Sequence, residues 1–148
     1  MVERGDAGMN AAMRMGRESL PEMLRLLEKD SDVAVAAMVK LRYETGEHAE
    51  YIWAQLSHET EEGLVAQLQS DPVLDIGDYR KGSFVLVDVS KIVDWSFRSK
   101  RTSYRGDFTG CYLISQGKHP ALAKGEDRCT WAEAYRKRHA ALPDQIPQ

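Results

Sequence analysis

The sequence lacks the features that most directly reveal how a protein is targeted. No apolar run approaches the roughly 20 residues that a membrane-spanning helix needs. Residues 1–20 carry charges and glycines where an export signal would carry its apolar core. We therefore expect a protein with no membrane association and no secretion signal.

Metal-ligand patterns are also missing. The two cysteines, Cys111 and Cys129, have no Cys-x-x-Cys partner, and the four histidines stand on separate elements. The cysteines could pair, but without an export signal we favour two reduced thiols in a cytoplasm. The sequence thus predicts a cytoplasmic protein with no metal site and no cofactor.

Catalytic motifs are equally scarce. No serine or cysteine stands in a nucleophile elbow, and Gly106–Gly110 lacks the lysine and the strand–helix setting of a phosphate loop. A hydrolase that uses His48 with Asp88 or Asp94 is a third functional hypothesis. His48 also lies beside Glu47 and Glu50, and a turn histidine beside carboxylates is more often a solvated ion pair than an acid or base. We expect Asp88 to face outward near a turn and Asp94 to bond a nearby amide or basic side chain. We predict no catalytic residue and no enzymatic activity.

What is present is the composition of one ordinary globular domain. The chain has 148 residues, of which 43% are apolar and 29% charged, and a net charge of −3. So small a charge argues against nucleic acid as the main partner. We predict a disordered tail over residues 1–8 and a single domain over residues 9–148.

Helical periodicity occurs at both ends of the chain. Apolar residues at helical spacing predict one helix from Met9 to about Arg17. A second begins at a capping box, Ser19-Leu-Pro-Glu22, and continues to Lys29 with an apolar stripe that includes Leu24. Another capping box at Thr130 predicts a C-terminal helix.

The middle of the chain alternates with a period of two. Thr45-Gly46-Glu47 predicts the turn of an antiparallel hairpin. The runs at 84–89 and 92–97 are apolar on both faces, which is typical of a sheet interior. The predicted strands are Val33–Tyr43, His48–Leu56, Leu64–Gln69, Phe84–Val89, Ile92–Phe97 and a last strand at Phe108–Ile114. The order predicts an α+β domain in which N-terminal helices pack on a strongly bent, barrel-like antiparallel sheet of five or six strands, with a C-terminal helix covering another edge or face.

Several short patterns together resemble a known family. They are Met9-x-x-Ala12, Arg17-x-Ser-Leu-Pro-Glu22, Glu47-His48, Tyr51-Ile-Trp53, Asp71-Pro72, Lys81-Gly82 and Ile92-Val-Asp-Trp95. This set resembles the bacterial domain-of-unknown-function family 2314 over residues 9–97. Residues 98–148, with a basic loop, the last strand and the C-terminal helix, look like additions to that core. The family brings no established activity, and there is a looser similarity to small β-rich immunity proteins that accompany bacterial toxins.

Two oppositely charged loops and two tryptophans are the candidate interaction residues. Tryptophans are core anchors more often than exposed recognition residues, and we favour the core for both. The basic run could hold a phosphate backbone or an acidic protein face, and it could equally be a solvated loop. The candidates are Arg98, Lys100, Arg101, Tyr104 and Arg105 on the basic loop, Glu59, Glu61 and Glu62 on the acidic one, and Trp53 and Trp95. We predict a protein-interaction module, more specifically an immunity-type inhibitor whose partner is a toxin; the alternative is a nucleic-acid-binding β-domain that uses residues 98–105.

Overall fold

A computed structural model describes residues 6–118 and 128–140 of the chain. The described part contains four helices and six strands, which confirms the α+β class. The helices are α1 (Ala7–Glu18), α2 (Leu20–Lys29), α3 (Phe108–Ser115) and α4 (Thr130–Ala140), and the strands are β1 (Val35–Thr45), β2 (His48–Thr60), β3 (Gly63–Leu68), β4 (Phe84–Leu86), β5 (Ile92–Ser99) and β6 (Arg105–Gly106).

The two N-terminal helices follow the predicted apolar spacing. Helix α1 buries Met9, Ala12, Met13 and Gly16, the face that the sequence pattern indicates. It starts earlier than predicted, because the Asp6 carboxylate accepts a hydrogen bond from the Met9 amide at 3.0 Å and caps the helix. Residues 6–8 therefore belong to α1 and its cap and not to the predicted tail, of which residues 1–5 lie outside the described range.

Ser19 joins α1 to α2, but its side chain does not form the predicted capping box. The Glu22 amide donates to the backbone oxygen of Ser19 at 2.8 Å, while the Ser19 hydroxyl accepts from the Trp95 indole nitrogen, also at 2.8 Å. The serine hydroxyl thus provides the hydrogen-bond acceptor that the buried Trp95 indole N–H needs. This tertiary contact takes the place of the local capping hydrogen bond.

The predicted hairpin is present as β1 and β2. The strands pair antiparallel with Thr45 opposite His48, and Gly46 makes the turn at a φ of +61°. The sheet is antiparallel and open, in the order β4-β3-β2-β1-β5-β6, so the barrel-like closure that we predicted is wrong.

The two apolar runs predicted for the sheet interior have different places. In β5 all residues from Ile92 to Phe97 are buried. Strand β4 lies at the edge of the sheet with Phe84 58% and Leu86 52% exposed, so its predicted central position is wrong. The run also stops at Leu86, and Val89–Lys91 forms a 3₁₀ turn capped by Asp88.

The predicted last strand at Phe108–Ile114 is instead helix α3. Asp107 caps this helix from a left-handed conformation at φ +59°, and its carboxylate accepts from the Gly110 amide at 3.1 Å. Phe, Thr, Tyr and Ile favour strands, but here the Asp107 cap and the hydrogen bonds that the Phe108 and Thr109 amides donate to Asp94 of β5 favour the helix.

Helix α4 is confirmed, and a disulfide joins it to α3. Cys111 and Cys129 are bonded with a Cα–Cα distance of 5.7 Å, so the predicted reduced thiols are wrong. Trp131 of α4 packs edge-on against Trp95 with ring centroids 5.5 Å apart, and Phe108 lies 5.3 Å from Tyr135. The C-terminal helix therefore covers β5 with aromatic side chains.

Candidate functional site

The structure separates the three residues of the hydrolase hypothesis. His48 is exposed at the β1–β2 turn, and Asp88 is exposed beside the 3₁₀ turn, where it accepts from the Ser90 amide and hydroxyl. Asp94 is fully buried, opposite Lys40 in the register of β1 and β5, while His48 pairs with Thr45 at the far end of β1. The outward position predicted for Asp88 is confirmed, and the three side chains share no site.

Asp94 forms the centre of a buried polar network on β5. Its carboxylate accepts four hydrogen bonds, from the amides of Trp95 (2.8 Å), Phe108 (3.1 Å) and Thr109 (2.8 Å) and from the Thr109 hydroxyl (2.6 Å). The prediction that Asp94 bonds a nearby amide is confirmed. Two of these donors are free amides at the start of α3, so the carboxylate fixes that helix end to the sheet.

Burial dominates the protonation of this carboxylate. Desolvation and the neighbouring Asp107 charge raise the pKa of Asp94 to about 7, although the hydrogen bonds from Thr109 and Trp95 oppose the rise.

A cleft of about 240 Å³ lies beside this network, between the sheet and α3. Lys40 borders it, donating to the Thr109 hydroxyl at 3.1 Å, with its ammonium nitrogen 5.7 Å from the Trp53 ring centroid. Loss of hydration on burial lowers the pKa of Lys40, while the carboxylates of Asp94 and Asp107 oppose the shift.

Arg128 closes the other side of the cleft. Its guanidinium donates to the Asp107 carboxylate at 3.1 Å and to the Tyr104 hydroxyl at 2.7 Å. Burial and the Asp107 charge raise the pKa of Tyr104 to about 12. Through these contacts of Lys40 and Arg128, the cluster joins the sheet, α3 and the residues just before α4.

The basic segment that follows β5 is held down by acidic residues of α2 and of the turn after it. The two terminal guanidinium nitrogens of Arg101 donate to the two carboxylate oxygens of Asp32 at 2.8 and 2.9 Å. Arg105 lies 3.9 Å from Glu22. Arg98 and Lys100 are exposed. Two of the four basic residues of this segment therefore have acidic partners from distant parts of the chain.

Asp30 also holds the segment 98–105 in place. It is buried at the end of α2 and accepts from the hydroxyls of Ser99 (2.5 Å) and Thr102 (2.8 Å). These two hydrogen bonds lower the pKa of Asp30. The segment 98–105 is consequently a well-anchored loop and not a mobile basic arm.

A groove larger than the cleft beside Lys40 lies on the face of the sheet that α2 covers only in part. It is a groove of about 770 Å³ between the C-terminal half of α2 and strands β1–β3. Most of its lining is apolar and half-buried, and Leu24 is 42% exposed. The apolar lining consists of Leu24, Leu27, Val33, Val35, Ala37, Leu56 and Leu64.

Negative charge flanks this groove on both sides. Glu28 of α2 lines one wall and Glu59 of β2 lines the other, next to His58. Glu61 and Glu62 continue from Glu59 into the turn between β2 and β3 and are exposed. The acidic loop predicted from the sequence is thus the tip of the β2–β3 hairpin.

The two candidate tryptophans differ in exposure. Trp95 is fully buried, which confirms it as a core anchor and leaves it no surface for recognition. Trp53 is half-buried beside the small cleft. The sequence pattern missed the groove because Leu24 looks like one more residue of the apolar stripe of α2; its offset from Met23 and Leu26 on the helix is the signal that could have shown it.

Two general properties of residues 6–118 and 128–140 bear on the function. Within these ranges no three histidine, cysteine, aspartate or glutamate side chains are grouped so that they could hold a metal ion. No helix in the same part of the chain is long and apolar enough to cross a membrane.

Comparison with known proteins gives a family and little more. The model of an uncharacterized protein family conserved in bacteria, domain of unknown function 2314, matches residues 6–122. The chain belongs to this family. The match runs past the predicted boundary at residue 97, so β6 and α3, with Asp107 and Thr109, are part of the domain of unknown function 2314 and not additions to it. No curated protein and no solved structure matches the chain.

Proposed function

We propose that this member of family 2314 is a non-enzymatic protein-binding domain, and that the groove between α2 and strands β1–β3 is its binding site. The open apolar lining of the groove carries the proposal. Side chains such as Leu24, Leu56 and Leu64 remain partly in contact with water in the monomer, and burying them against a partner would be favourable.

The charges around the groove indicate what the partner presents. Glu28 and Glu59 stand on opposite walls, so a segment with apolar side chains in its middle and lysine or arginine at its ends would match both. An immunity-type role is the specific form of this proposal: a toxin that acts on nucleic acid needs a cationic surface, which acidic walls would complement.

The nucleic-acid alternative receives less support. Arg101 and Arg105 have acidic partners in the protein. Among the described residues, 6–118 and 128–140, Arg98 and Lys100 form no ion pair and are exposed. A phosphate backbone could contact the two exposed charges of Arg98 and Lys100. With so few phosphate contacts, the affinity for nucleic acid should decrease only slightly as the salt concentration rises.

Affinity capture with matched variants tests the groove. The purified protein is immobilised and used to capture partners from a lysate of the source bacterium with and without nuclease treatment, alongside Leu24→Asp and the double variant Glu28→Lys, Glu59→Lys. Val73→Asp and Asp78→Lys are the controls, because both residues are exposed and neither lines the groove.

We expect one stoichiometric protein bound by the wild type and both controls, and at least about tenfold less of it on the groove variants. Equal capture by all variants would place the binding site elsewhere. Material lost on nuclease treatment would favour the nucleic-acid alternative, and an activity in the purified protein would contradict the non-enzymatic part of the proposal.

The cytoplasmic location stays a prediction, and the Cys111–Cys129 bridge counts against it. Disulfides persist mainly in oxidising compartments and are uncommon in a reducing cytoplasm. Thiol labelling of the protein in freshly lysed source cells decides the matter: two reactive thiols would agree with a cytoplasmic location, and none would agree with an oxidising one.

A further inference from the structure

The edge of the sheet at β4 is a second exposed apolar surface, separate from the groove. Strand β4 is the last strand on its side of the sheet. Phe84 and Leu86 project from the same face and are more than half exposed, while Val85 between them is buried on the other face. An exposed, apolar edge of this kind is a template for pairing with another strand.

The hydrogen bonds between β3 and β4 show which backbone groups are available there. Ser83 accepts from the Leu68 amide at 2.9 Å, and Val87 donates to Leu64 at 2.8 Å, so positions 83, 85 and 87 face β3. In an antiparallel ladder the residues between them face away. Phe84 and Leu86 therefore direct their N–H and C=O groups toward the open edge.

We propose that two copies of the chain pair through their β4 strands, antiparallel and centred on Val85, to form one continuous sheet. In this register Phe84 of each chain stands opposite the partner's Leu86. Two such pairs, each exchanging two hydrogen bonds, use all four outward backbone groups of each strand. The same register places the exposed Phe84 and Leu86 side chains of both chains in contact on one face.

The charges that flank β4 favour this arrangement. Arg80 and Lys81 precede the strand and Asp88 follows it, and all three are exposed. Antiparallel pairing about Val85 brings Lys81 of each chain next to the partner's Asp88, so opposite charges meet at both ends. Parallel pairing would set like charges together. The strand is short, and we expect a dimer that dissociates on dilution.

Sedimentation velocity of the purified full chain over a range of concentrations tests the proposal. The interface variant is Phe84→Lys with Leu86→Lys, because lysine on an edge strand opposes pairing. The control is Val73→Lys, since Val73 is 89% exposed and lies outside β4. Circular dichroism checks that each variant is folded. We expect a concentration-dependent dimer for the wild type and the control, and a dissociation constant at least about tenfold higher for the double variant.

A charge exchange tests the register. Lys81→Glu and Asp88→Lys each place like charges together at both ends, so each alone should weaken the dimer. A mixture of the two variants should form a heterodimer with an affinity close to that of the wild type, because each contact then joins opposite charges. A wild type that stays monomeric up to about 1 mM, a dimer unaffected by the lysine pair, or a mixture no tighter than its components would overturn the proposal; the first result would leave the edge to a strand of another protein.

Discussion

Strands β4 and β5 have similar apolar sequences and opposite surroundings. Helices α1, α2 and α3 all contact β5, and Trp131 of α4 packs on its Trp95, so six consecutive residues of β5 are buried. Strand β4 contacts mainly β3 and presents Phe84 and Leu86 to water. An apolar run thus indicates that a strand can be buried on both faces. The placement of the helices determines whether the strand is buried in the folded protein.

The largest difference between the two strands should appear on truncation of an aromatic residue. Trp95→Ala empties a fully buried site and leaves the Ser19 hydroxyl without its indole donor, which we expect to cost about 3–5 kcal/mol of unfolding free energy. Phe84→Ala should change it by less than about 1 kcal/mol. Urea unfolding followed by circular dichroism measures both. Equal costs would mean that β4 is buried in solution, for example in a strongly associated dimer.

Reduction of the disulfide tests how the covering of β5 is held in place. The bridge joins α3 to α4 across 18 positions of the chain, a loop for which a loss of about 3 kcal/mol is expected when it is opened. The difference in unfolding free energy between the wild type and the Cys111→Ser, Cys129→Ser variant, measured by urea unfolding, gives this loss. A reductant should destabilise the wild type to the same extent and leave the variant unaffected; a reductant effect on the variant would show that the loss has another origin.

Two glycines with nearly equal φ angles allow the packing near the two strands to be compared. Gly106 has a φ of +86° and Gly82, just before β4, a φ of +90°. A Cβ on Gly106 would lie 2.2 Å from the Trp95 carbonyl oxygen, whereas on Gly82 the nearest atom is 4.0 Å away. We expect Gly106→Ala to cost about 2 kcal/mol more than Gly82→Ala, which carries only the cost of the left-handed conformation. Thermal unfolding of the two variants measures the difference.

A further prediction concerns pH and the buried carboxylate of β5. The pKa of Asp94 is raised to about 7 from 3.8, so between these values the folded chain keeps a proton that the unfolded chain has released. Stability should therefore fall as the pH rises through this window, by no more than about 1.4 kcal/mol per pH unit. In Asp94→Asn the unfolding free energy should depend less steeply on pH. A constant loss of unfolding free energy caused by the substitution does not change this slope. Stability that rises with pH in this range would show that the four hydrogen bonds outweigh burial.

The sequence is sufficient for features whose signals are local. The hairpin at Gly46, the buried stripe of α1 and the start of α4 follow from turn chemistry and from helical spacing. Asp94 could be predicted to bond an amide because a carboxylate among apolar strand residues needs donors.

The features that the sequence does not predict depend on contacts between distant parts of the chain. Phe108–Ile114 has strand-forming residues and becomes a helix because Asp94 and Asp107 satisfy its first amides. The Ser19 hydroxyl, at the N-cap of α2, accepts from an indole 76 positions away and does not cap the helix. The strand order, which leaves β4 at an edge, has no short-range signal.

The bridge between Cys111 and Cys129 has a topological consequence for residues 119–127, which lie between its two helices. A protease that cuts the chain once within that segment would separate the polypeptide into two pieces but would leave α4 covalently attached to α3. The nicked protein would run as one band on a denaturing gel and as two after reduction. The aromatic cover over β5 can therefore survive a break in the backbone.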